Sequence, residues 1–400
     1  MKITKITTHL LTTRWVDDPF FPQGLHSTAL VRIETDAKLD GLGEVTLGYF
    51  EPESVPSLVE YFTPVLAGRD PMDIVRLARE MFDSAVFWGR SGAGRSVISG
   101  IELALWDLKG KALNVPVYQL LGGKVRERIP VYASGGPTNW PLDENLRKVA
   151  HYAKAGYAAA KLSTEFYELT PVEHGQGRMN HVPLPFSQRI TMLEKNFKQL
   201  RSELGDAMDL AVDGHQGGVP NPIPVSEAVE IAEALAPHRL RFYEEPLAYT
   251  DIDGYCELRA RSRIPIAGGE SLCGLDQFHP LIAQKGLHLI QPDIGFVGGL
   301  HETVRIMHHA EGYNLGTAIH TGASMGPSLA ASWHLAAASQ SVEWLEHVAA
   351  ARSIQNDLLI DPFELKDGHV GLPAEKGLGV KLTEHLLEKY KFIPKSGERT

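Results

Sequence analysis

Six acidic or imidazole side chains recur through the second half of the chain at a nearly constant interval. Asp213, Glu244, Glu270, Asp293, His320 and Glu346 lie 31, 26, 23, 27 and 26 residues apart. Each ends a short apolar run. One strand, one helix and their connections take about 25–30 residues, so the spacing predicts one such unit per step and all six groups on one rim. The runs are Ile129–Ser134, Ala158–Ser163, Asp209–Asp213, Arg241–Glu245, Pro265–Glu270, Leu287–Asp293, Leu315–His320 and Val342–Glu346. Helical patterns such as Val225–Leu235 and Glu302–Gly312 separate them. This grammar predicts an α/β protein built on a parallel β/α barrel, with chemistry at the carboxyl ends of its strands. Acids also end strands and cap helices for structural reasons alone. The common phase of six groups, rather than any one of them, carries the functional reading.

The region before the barrel reads differently. Ile3–Leu11 alternates like a strand, and Ala29–Glu34 with Gly43–Thr46 reads as a hairpin turning between 36 and 41. Helical patterns follow at Glu53–Leu66, Met72–Phe82 and Ile98–Leu113, the last with Ile101, Leu105 and Leu108 on one face. Strands followed by helices predict a small α+β domain. From about Ile354 the chain has strand-like pieces near Gly368–Leu372 and Leu378–Leu382, which should return to pack on that first domain. A length of 400 residues likewise exceeds what one hydrophobic core usually organises.

The formal net charge of −10, with no basic block, argues against a nucleic-acid or anionic-membrane partner and leaves a small molecule. There is no apolar run of the 18 or so residues that span a bilayer, and no signal-peptide pattern is expected at the start. Two cysteines, Cys256 and Cys273, make neither a disulfide framework nor a zinc pattern, which suits a reducing cytoplasm.

Asp213, Glu244 and Glu270 end consecutive strands. Crowded on one rim they repel, so one stays protonated or a cation balances them. Oxygen ligands on rigid strand ends suit a hard divalent ion, and few protein ligands with free positions favour Mg²⁺ over Ca²⁺. Bound there, Mg²⁺ can hold a substrate carboxylate. The alternative is three capping acids without a metal. Asp293 and His320 end the next two strands, within expected hydrogen-bond reach. An ionised Asp293 would hold the tautomer of His320 and make it a general base for a proton α to that carboxylate. His215 lies two residues beyond Asp213, and period two puts both on one side of an extended chain. It could donate a proton to a leaving hydroxyl, or simply position its loop. Glu346 could hydrogen-bond developing negative charge as an acid, or pair with His347. Residues Thr164–Phe186 form a long stretch after one barrel strand, either lining the mouth or serving as a surface insertion or oligomer contact.

Around these residues the sequence resembles the enolase superfamily, mandelate racemase subgroup, over nearly its whole length. The run Gly100-Ile101-Glu102-Leu103-Ala104-Leu105-Trp106-Asp107-Leu108-Lys109-Gly110-Lys111 and then Val117-Tyr118-Gln119-Leu120-Leu121-Gly122-Gly123 is similar to the subgroup's N-terminal signature. Tyr243-Glu244-Glu245-Pro246, Gly268-Gly269-Glu270 and Gln291-Pro292-Asp293 are similar to its barrel motifs. The resemblance implies a capping domain of residues 1 to about 125, completed by about 355–400. It also implies a modified (β/α)7β barrel over 126–354, Mg²⁺ on Asp213, Glu244 and Glu270, and a homo-oligomer.

Many members carry Lys-x-Lys on the second barrel strand, where the second lysine is an acid/base. Here Lys161-Leu162-Ser163 keeps only the first, and serine cannot serve unaided. Asp213-Gly214-His215 resembles the motif of galactonate dehydratase-type acid-sugar dehydratases. That likeness implies that His320 takes the C2 proton, His215 assists loss of the C3 hydroxyl, and Lys161 helps neutralise the substrate carboxylate. The product would be a 2-keto-3-deoxy acid. Competing readings are a racemase, epimerase or cycloisomerase on a related carboxylate, and a sugar-acid-binding barrel with little turnover. A metallohydrolase barrel fits less well, because no His-x-His pair ends a strand. By the same likeness, Phe20, Phe21, His26, Tyr49 and the pair Trp88 and Arg90 are the candidates in the cap for reading the substrate.

Overall fold

The computed structural model describes residues 1–15, 17–20, 24–134, 142–170, 178–182 and 184–394, with backbone alone at 167–170 and 178–181. Strands β1 (Ile3–Arg14), β2 (Leu25–Thr35) and β3 (Asp40–Val45) form an antiparallel sheet. Helices Val55–Leu66, Ile74–Ser84 and Gly92–Leu113 pack on it around Val31, Ile33, Phe62, Leu77, Ile101 and Leu105. Strands β4 (Ile129–Ser134) and β5 (Ala159–Ser163) open the barrel. The long stretch after β5 folds in part as a hairpin, β6 (Tyr167–Thr170) against β7 (Arg178–His181). Pro171, His174, Gly175, Gly177 and Pro183 of that stretch, and Phe21 of the cap, lie outside the described residues.

The barrel continues through β8 (Asp209–Asp213), β9 (Tyr243–Glu244), β10 (Ile266–Gly268), β11 (Leu289–Ile290), β12 (Gly316–Ile319) and β13 (Val342–Val348). The order β4-β5-β8-β9-β10-β11-β12-β13 closes by pairing of β13 with β4, all parallel. Each strand from β4 to β12 is followed by a wall helix of ten residues or more. After β13 the described residues hold no α-helix longer than the short Arg352–Leu358 and Glu384–Lys389. The architecture is therefore a (β/α)7β barrel with an antiparallel N-terminal sheet cap. Every one of the eight expected strands exists, but several are shorter than their apolar runs. No described helix is long and apolar enough to cross a membrane.

The chain end corrects one expectation. Strands β14 (Leu365–Lys366) and β15 (His369–Val370) do not join the cap. They extend the barrel sheet antiparallel to the start of β4, through His369 opposite Pro130. The segment around 378–382 forms only an isolated bridge, Leu359 to Val380. That segment nevertheless packs on the cap as expected, with the Leu378 amide on Asp107 at 2.8 Å and Arg32 donating to the Leu382 carbonyl at 2.6 Å, and further on Lys391 bridges to Leu11.

Buried carboxylates weld cap to barrel. Glu44, on β3, accepts the Met325, Gly326 and Ser328 amides at 2.7, 3.0 and 3.0 Å, and the Thr28 hydroxyl at 2.8 Å. These amides begin the barrel helix Pro327–Ala338, whose first N–H groups have no partner within the helix. Glu102 does the same for helix Leu300–Glu311, accepting the Leu300 and His301 amides at 2.8 and 3.0 Å and the Trp106 indole at 2.7 Å. Burial pushes its carboxyl up to about 7 against those donors. Asp107 accepts the Leu42 and Leu378 amides at 2.8 Å each. Glu102 and Asp107 of the N-terminal signature are thus inter-element struts, and Trp106 steadies Glu102 from within the same helix.

Glu44→Ala should lower stability by roughly 3 kcal/mol, because three buried amides lose their acceptor. Denaturant unfolding measures this, and an unchanged midpoint would contradict it. His334, fully buried, accepts the Tyr118 amide at 3.2 Å, and burial holds its imidazole down to about 3. An unfolded histidine titrates near 6.5, so below that pH the unfolded chain binds a proton that the folded chain refuses. Stability should therefore fall on acidification by roughly 1.4 kcal/mol per pH unit from this residue. His334→Gln, which keeps an acceptor, should flatten the slope of stability between pH 6 and 5 by that amount; parallel slopes would refute the assignment.

Candidate active site

Inside the barrel a closed floor supports a polar rim. Tyr132, Ala159, Ala211, Phe242, Ala267 and Leu289 pack together with Trp344. Two residues further along six of these seven strands stand Ser134, Lys161, Asp213, Glu244, Gln291 and Glu346, in turn after Tyr132, Ala159, Ala211, Phe242, Leu289 and Trp344. The two-residue period of a strand turns each floor residue's successor-but-one to the same interior. At β10 the period slips. Cβ atoms placed on Gly268 and Gly269 would meet Tyr249 and Phe278, on the outer side, and Gly269 has φ of 124°. That double step delivers Glu270, rather than residue 269, to the rim.

The three expected ligands do converge. One carboxylate oxygen from each of Asp213, Glu244 and Glu270 lies within 4.8 Å of the others. Lys161 brings one positive charge to the group, with Nζ 2.6 Å from Glu244 Oε1, 3.0 Å from Asp213 Oδ2 and 3.2 Å from Glu346 Oε1. Burial, then repulsion from Asp213, Glu270 and Glu346, pushes Glu244 well above the usual carboxylate range despite Lys161. Asp213 moves the other way: burial would raise it, but His215 and Lys161 hold it below its ordinary value. Asp213 Oδ2, fully buried, has these ionic contacts but no hydrogen bond. An all-carboxylate donor set with surplus negative charge and an open buried oxygen fits a hard divalent cation.

Asp293 and His320 meet as expected. His320 Nδ1 lies 2.8 Å from Asp293 Oδ2, while Asp293 Oδ1 accepts the Gly295 amide at 2.7 Å. The other ring nitrogen, Nε2, lies 3.3 Å from Glu270 Oε2 and 3.5 Å from Glu346 Oε2. Burial would lower the imidazole's pKa, but Glu270, Glu346 and Asp293 together raise it well above its ordinary value. A Cβ on Gly322 would lie 2.7 Å from His320 Nε2, so glycine is what lets the chain pass the ring.

Glu346 does not pair with His347, whose Nδ1 meets the Tyr157 hydroxyl instead. Glu346 Oε2 accepts the Thr321 amide at 2.7 Å. Burial would raise this carboxyl, yet Lys161 and His320 hold it down to about 2. Placed between the Lys161 ammonium and the His320 ring, Glu346 is held toward its carboxylate form.

His215 also differs from expectation in its route. The chain does not run on extended from Asp213; His215 has φ of 50°, a left-handed turn. The turn brings Nε2 back to 3.2 Å from Asp213 Oδ2, with its side chain 42% exposed. Ser163 Oγ accepts the Glu165 amide at 2.9 Å. In the cap, His26 stacks on Trp15 at 3.9 Å and on Tyr49 at 5.6 Å, all three buried. Phe20 meets His151 edge-on at 5.9 Å, Trp88 packs on Tyr61 and Phe62, and Arg90 is exposed.

Gln291 was missed in the sequence. Its Nε2 donates to Glu244 Oε2 at 2.5 Å. The signal was available, since it stands two residues before Asp293 and in phase with the rim.

Two family profiles match this chain: "Enolase C-terminal domain-like" over residues 144–386, and "Mandelate racemase / muconate lactonizing enzyme, N-terminal domain" over 19–122. A D-galactonate dehydratase of Pectobacterium atrosepticum is 30% identical, covering 98% of this chain and 96% of its own. The 3,6-anhydro-D-galactonate cycloisomerase of Zobellia galactanivorans is 29% identical, with a TM-score of 0.80 over 98% of this chain and 99% of that one. An enolase structure from Agrobacterium radiobacter, bound to Na and L-malate, is 30% identical with a TM-score of 0.81 over 100% and 97%.

If the triad takes a divalent ion, Mg²⁺ at a hundred times its Kd should add about 2.7 kcal/mol of stability. The rise in melting temperature should vanish in Asp213→Asn and Glu244→Gln. An equal rise in both variants would place the ion elsewhere.

Proposed function

This chain belongs to the mandelate racemase / muconate lactonizing enzyme family of the enolase superfamily, and from that premise we propose that it is a Mg²⁺-dependent dehydratase of an aldonic or aldaric acid. One observation carries the proposal. Two imidazoles address two different members of the carboxylate triad, His320 at Glu270 and His215 at Asp213, at 3.3 and 3.2 Å. A ligand held at the triad is then within reach of a base on one imidazole and an acid on the other.

Asp213, Glu244 and Glu270 would hold the cation. When bound, it would neutralise carboxylates that keep His320 protonated and stabilise negative charge developing on a substrate carboxylate. Asp293 holds Nδ1 of His320 and leaves Nε2 to take the C2 proton. Lys161 and Gln291 hold Glu244 from either side, and Lys161 adds positive charge beside the substrate carboxylate. His215, on its exposed turn, gives a proton to the departing C3 hydroxyl. Water leaves, and the resulting enol becomes a 2-keto-3-deoxy acid.

Ser163 supports this reading over a two-base racemase. Its hydroxyl is occupied with the Glu165 amide, and no second lysine stands there. D-galactonate dehydration by a relative of 30% identity, and a relative bound to the 2-hydroxy acid L-malate, support the substrate class. A second reading, cycloisomerisation through the same enediolate, is favoured by the likeness to the Zobellia enzyme.

Incubation with Mg²⁺ and a panel of aldonic and aldaric acids should give 2-keto-3-deoxy products that semicarbazide detects. An isomeric product, with no water lost, would select the cycloisomerase instead. On the active substrate His320→Asn should reduce turnover by roughly 10²–10⁴-fold. His215→Asn should lose dehydration but retain exchange of the C2 proton with deuterated solvent. Full turnover by His320→Asn would reject the assigned base.

A further inference from the structure

Neither Glu245 nor Tyr249 has a part in the chemistry proposed above, yet both are buried beside it, 4% and 9% exposed. We infer that they form a positioning pair, which sets the Glu270 end of the triad and the His215 turn in one register. The inference rests on reading Asp213, Glu244 and Glu270 as cation ligands.

The Tyr249 hydroxyl oxygen accepts two adjacent amides, Gly269 N at 2.6 Å and Glu270 N at 3.1 Å. Two N–H groups on one oxygen fix the phenol, and the Glu245 side chain lies beside its ring, since a Cβ on Gly217 would lie 2.2 Å from Glu245 Oε1 and 2.5 Å from Tyr249 Cε2. The amides converge because Gly269 is in the left-handed region, at φ of 124°. This is the same step that turns Glu270 inward. Tyr249 therefore holds the one ligand whose placement does not follow from the regular period of a strand. Its ring lies parallel to that of Tyr255, 6.3 Å away at 4°, and the Tyr255 hydroxyl donates to the Leu247 carbonyl at 2.9 Å. The phenol is thus set from both sides.

Glu245 faces the other way as well. Its own φ is 41°, and its carbonyl accepts the Gln216 amide at 2.9 Å. The Tyr249 amide donates to the Gly217 carbonyl at 3.2 Å. A Cβ on Gly217 would lie 2.2 Å from Glu245 Oε1, so only glycine allows the His215 turn to close over that carboxylate. One path of bonds therefore runs from the His215 turn at Gly217 through the Tyr249 amide and hydroxyl to the Glu270 backbone, while the Glu245 carbonyl holds Gln216 of the same turn. Groups that orient a metal ligand without touching the metal typically matter by about 10–100-fold in affinity.

Tyr249→Phe keeps the ring and removes the oxygen. Calorimetric titration of Mn²⁺ into the metal-stripped full chain, well below its melting temperature, reads the effect without any substrate. Tyr249→Phe should weaken Mn²⁺ binding about 10–100-fold. Glu245→Gln keeps the side-chain volume beside the Tyr249 ring and the carbonyl that holds Gln216, and should bind Mn²⁺ nearly as wild type does. Tyr157→Phe loses a buried hydroxyl contact to His347, so it should lower the melting temperature and leave the Mn²⁺ affinity unchanged. Mn²⁺ binding abolished by Asp213→Asn but unaltered in Tyr249→Phe would overturn this inference alone. Loss of affinity in Tyr157→Phe equal to that in Tyr249→Phe would do so too, since the effect would then be general loosening. Binding that survives Asp213→Asn would instead overturn the ligand reading, and this inference with it.

Discussion

Negative charge crowded at the mouth of the barrel is the constraint on which the rest of the site depends. Asp213, Glu244, Glu270 and Glu346 converge there, and the Lys161 ammonium touches three of them. Two like charges at 4 Å repel by about 4 kcal/mol at an effective dielectric near 20. Such a site needs positive charge to be stable, and its surroundings supply it unevenly. Glu346 lies between Lys161 and His320 and ionises easily, whereas Glu244, buried among other acids, does not. The same imbalance is what would draw a divalent cation to the triad under the proposed function, with His320, between Asp293 and Glu270, on the other side.

Rigidity complements charge. The loop after His320 is tied at both ends. Thr321 donates its amide to Glu346 at 2.7 Å and its hydroxyl to the Glu346 carbonyl at 2.9 Å, while Met325 and Gly326 donate to Glu44 of the cap. Asp293 is held through the Gly295 amide, and Gly295 in turn lies against Thr46, whose Oγ1 would be 1.8 Å from any Cβ there. The cap thus bears directly on both members of the Asp293–His320 pair.

The barrel and the convergence of Asp213, Glu244, Glu270, Asp293, His320 and Glu346 were legible in the sequence because both follow from counting. A wall of repeated units returns each strand end to the same rim. What counting cannot see is local backbone twist. The extended chain expected at His215 is a left-handed turn, and strict alternation would have pointed residue 269, not Glu270, inward. The apolar run Arg241–Glu245 yields only a two-residue strand, Tyr243–Glu244, since Glu245 is at φ of 41° and leaves the ladder. The first piece of the tail departs for a related reason: Gly368–Leu372 has strand propensity, but propensity does not say which sheet edge is open, whereas Leu378 and Leu382 do reach the cap. Charge state was equally hidden. Residue type alone leaves Glu346 open to either form, and the nearness of Lys161 and His320, which favours the carboxylate, shows only in the fold. The signature around Glu102 could be recognised as a pattern but not explained, because its partners, the amides of Leu300 and His301, are some two hundred residues away.

That last separation bears on how such proteins can be recombined. Glu44 and Glu102 complete the first turns of two wall helices they do not belong to, and Asp107 holds a strand of the sheet together with the tail. A graft that exchanges residues before 125 for those of a relative would therefore have to carry matching receptor turns near 298–301 and 325–328. Without them two helices of the wall begin with bare amides under a foreign roof. Head and body are not interchangeable parts, and a chimera is best cut where sockets and plugs travel together.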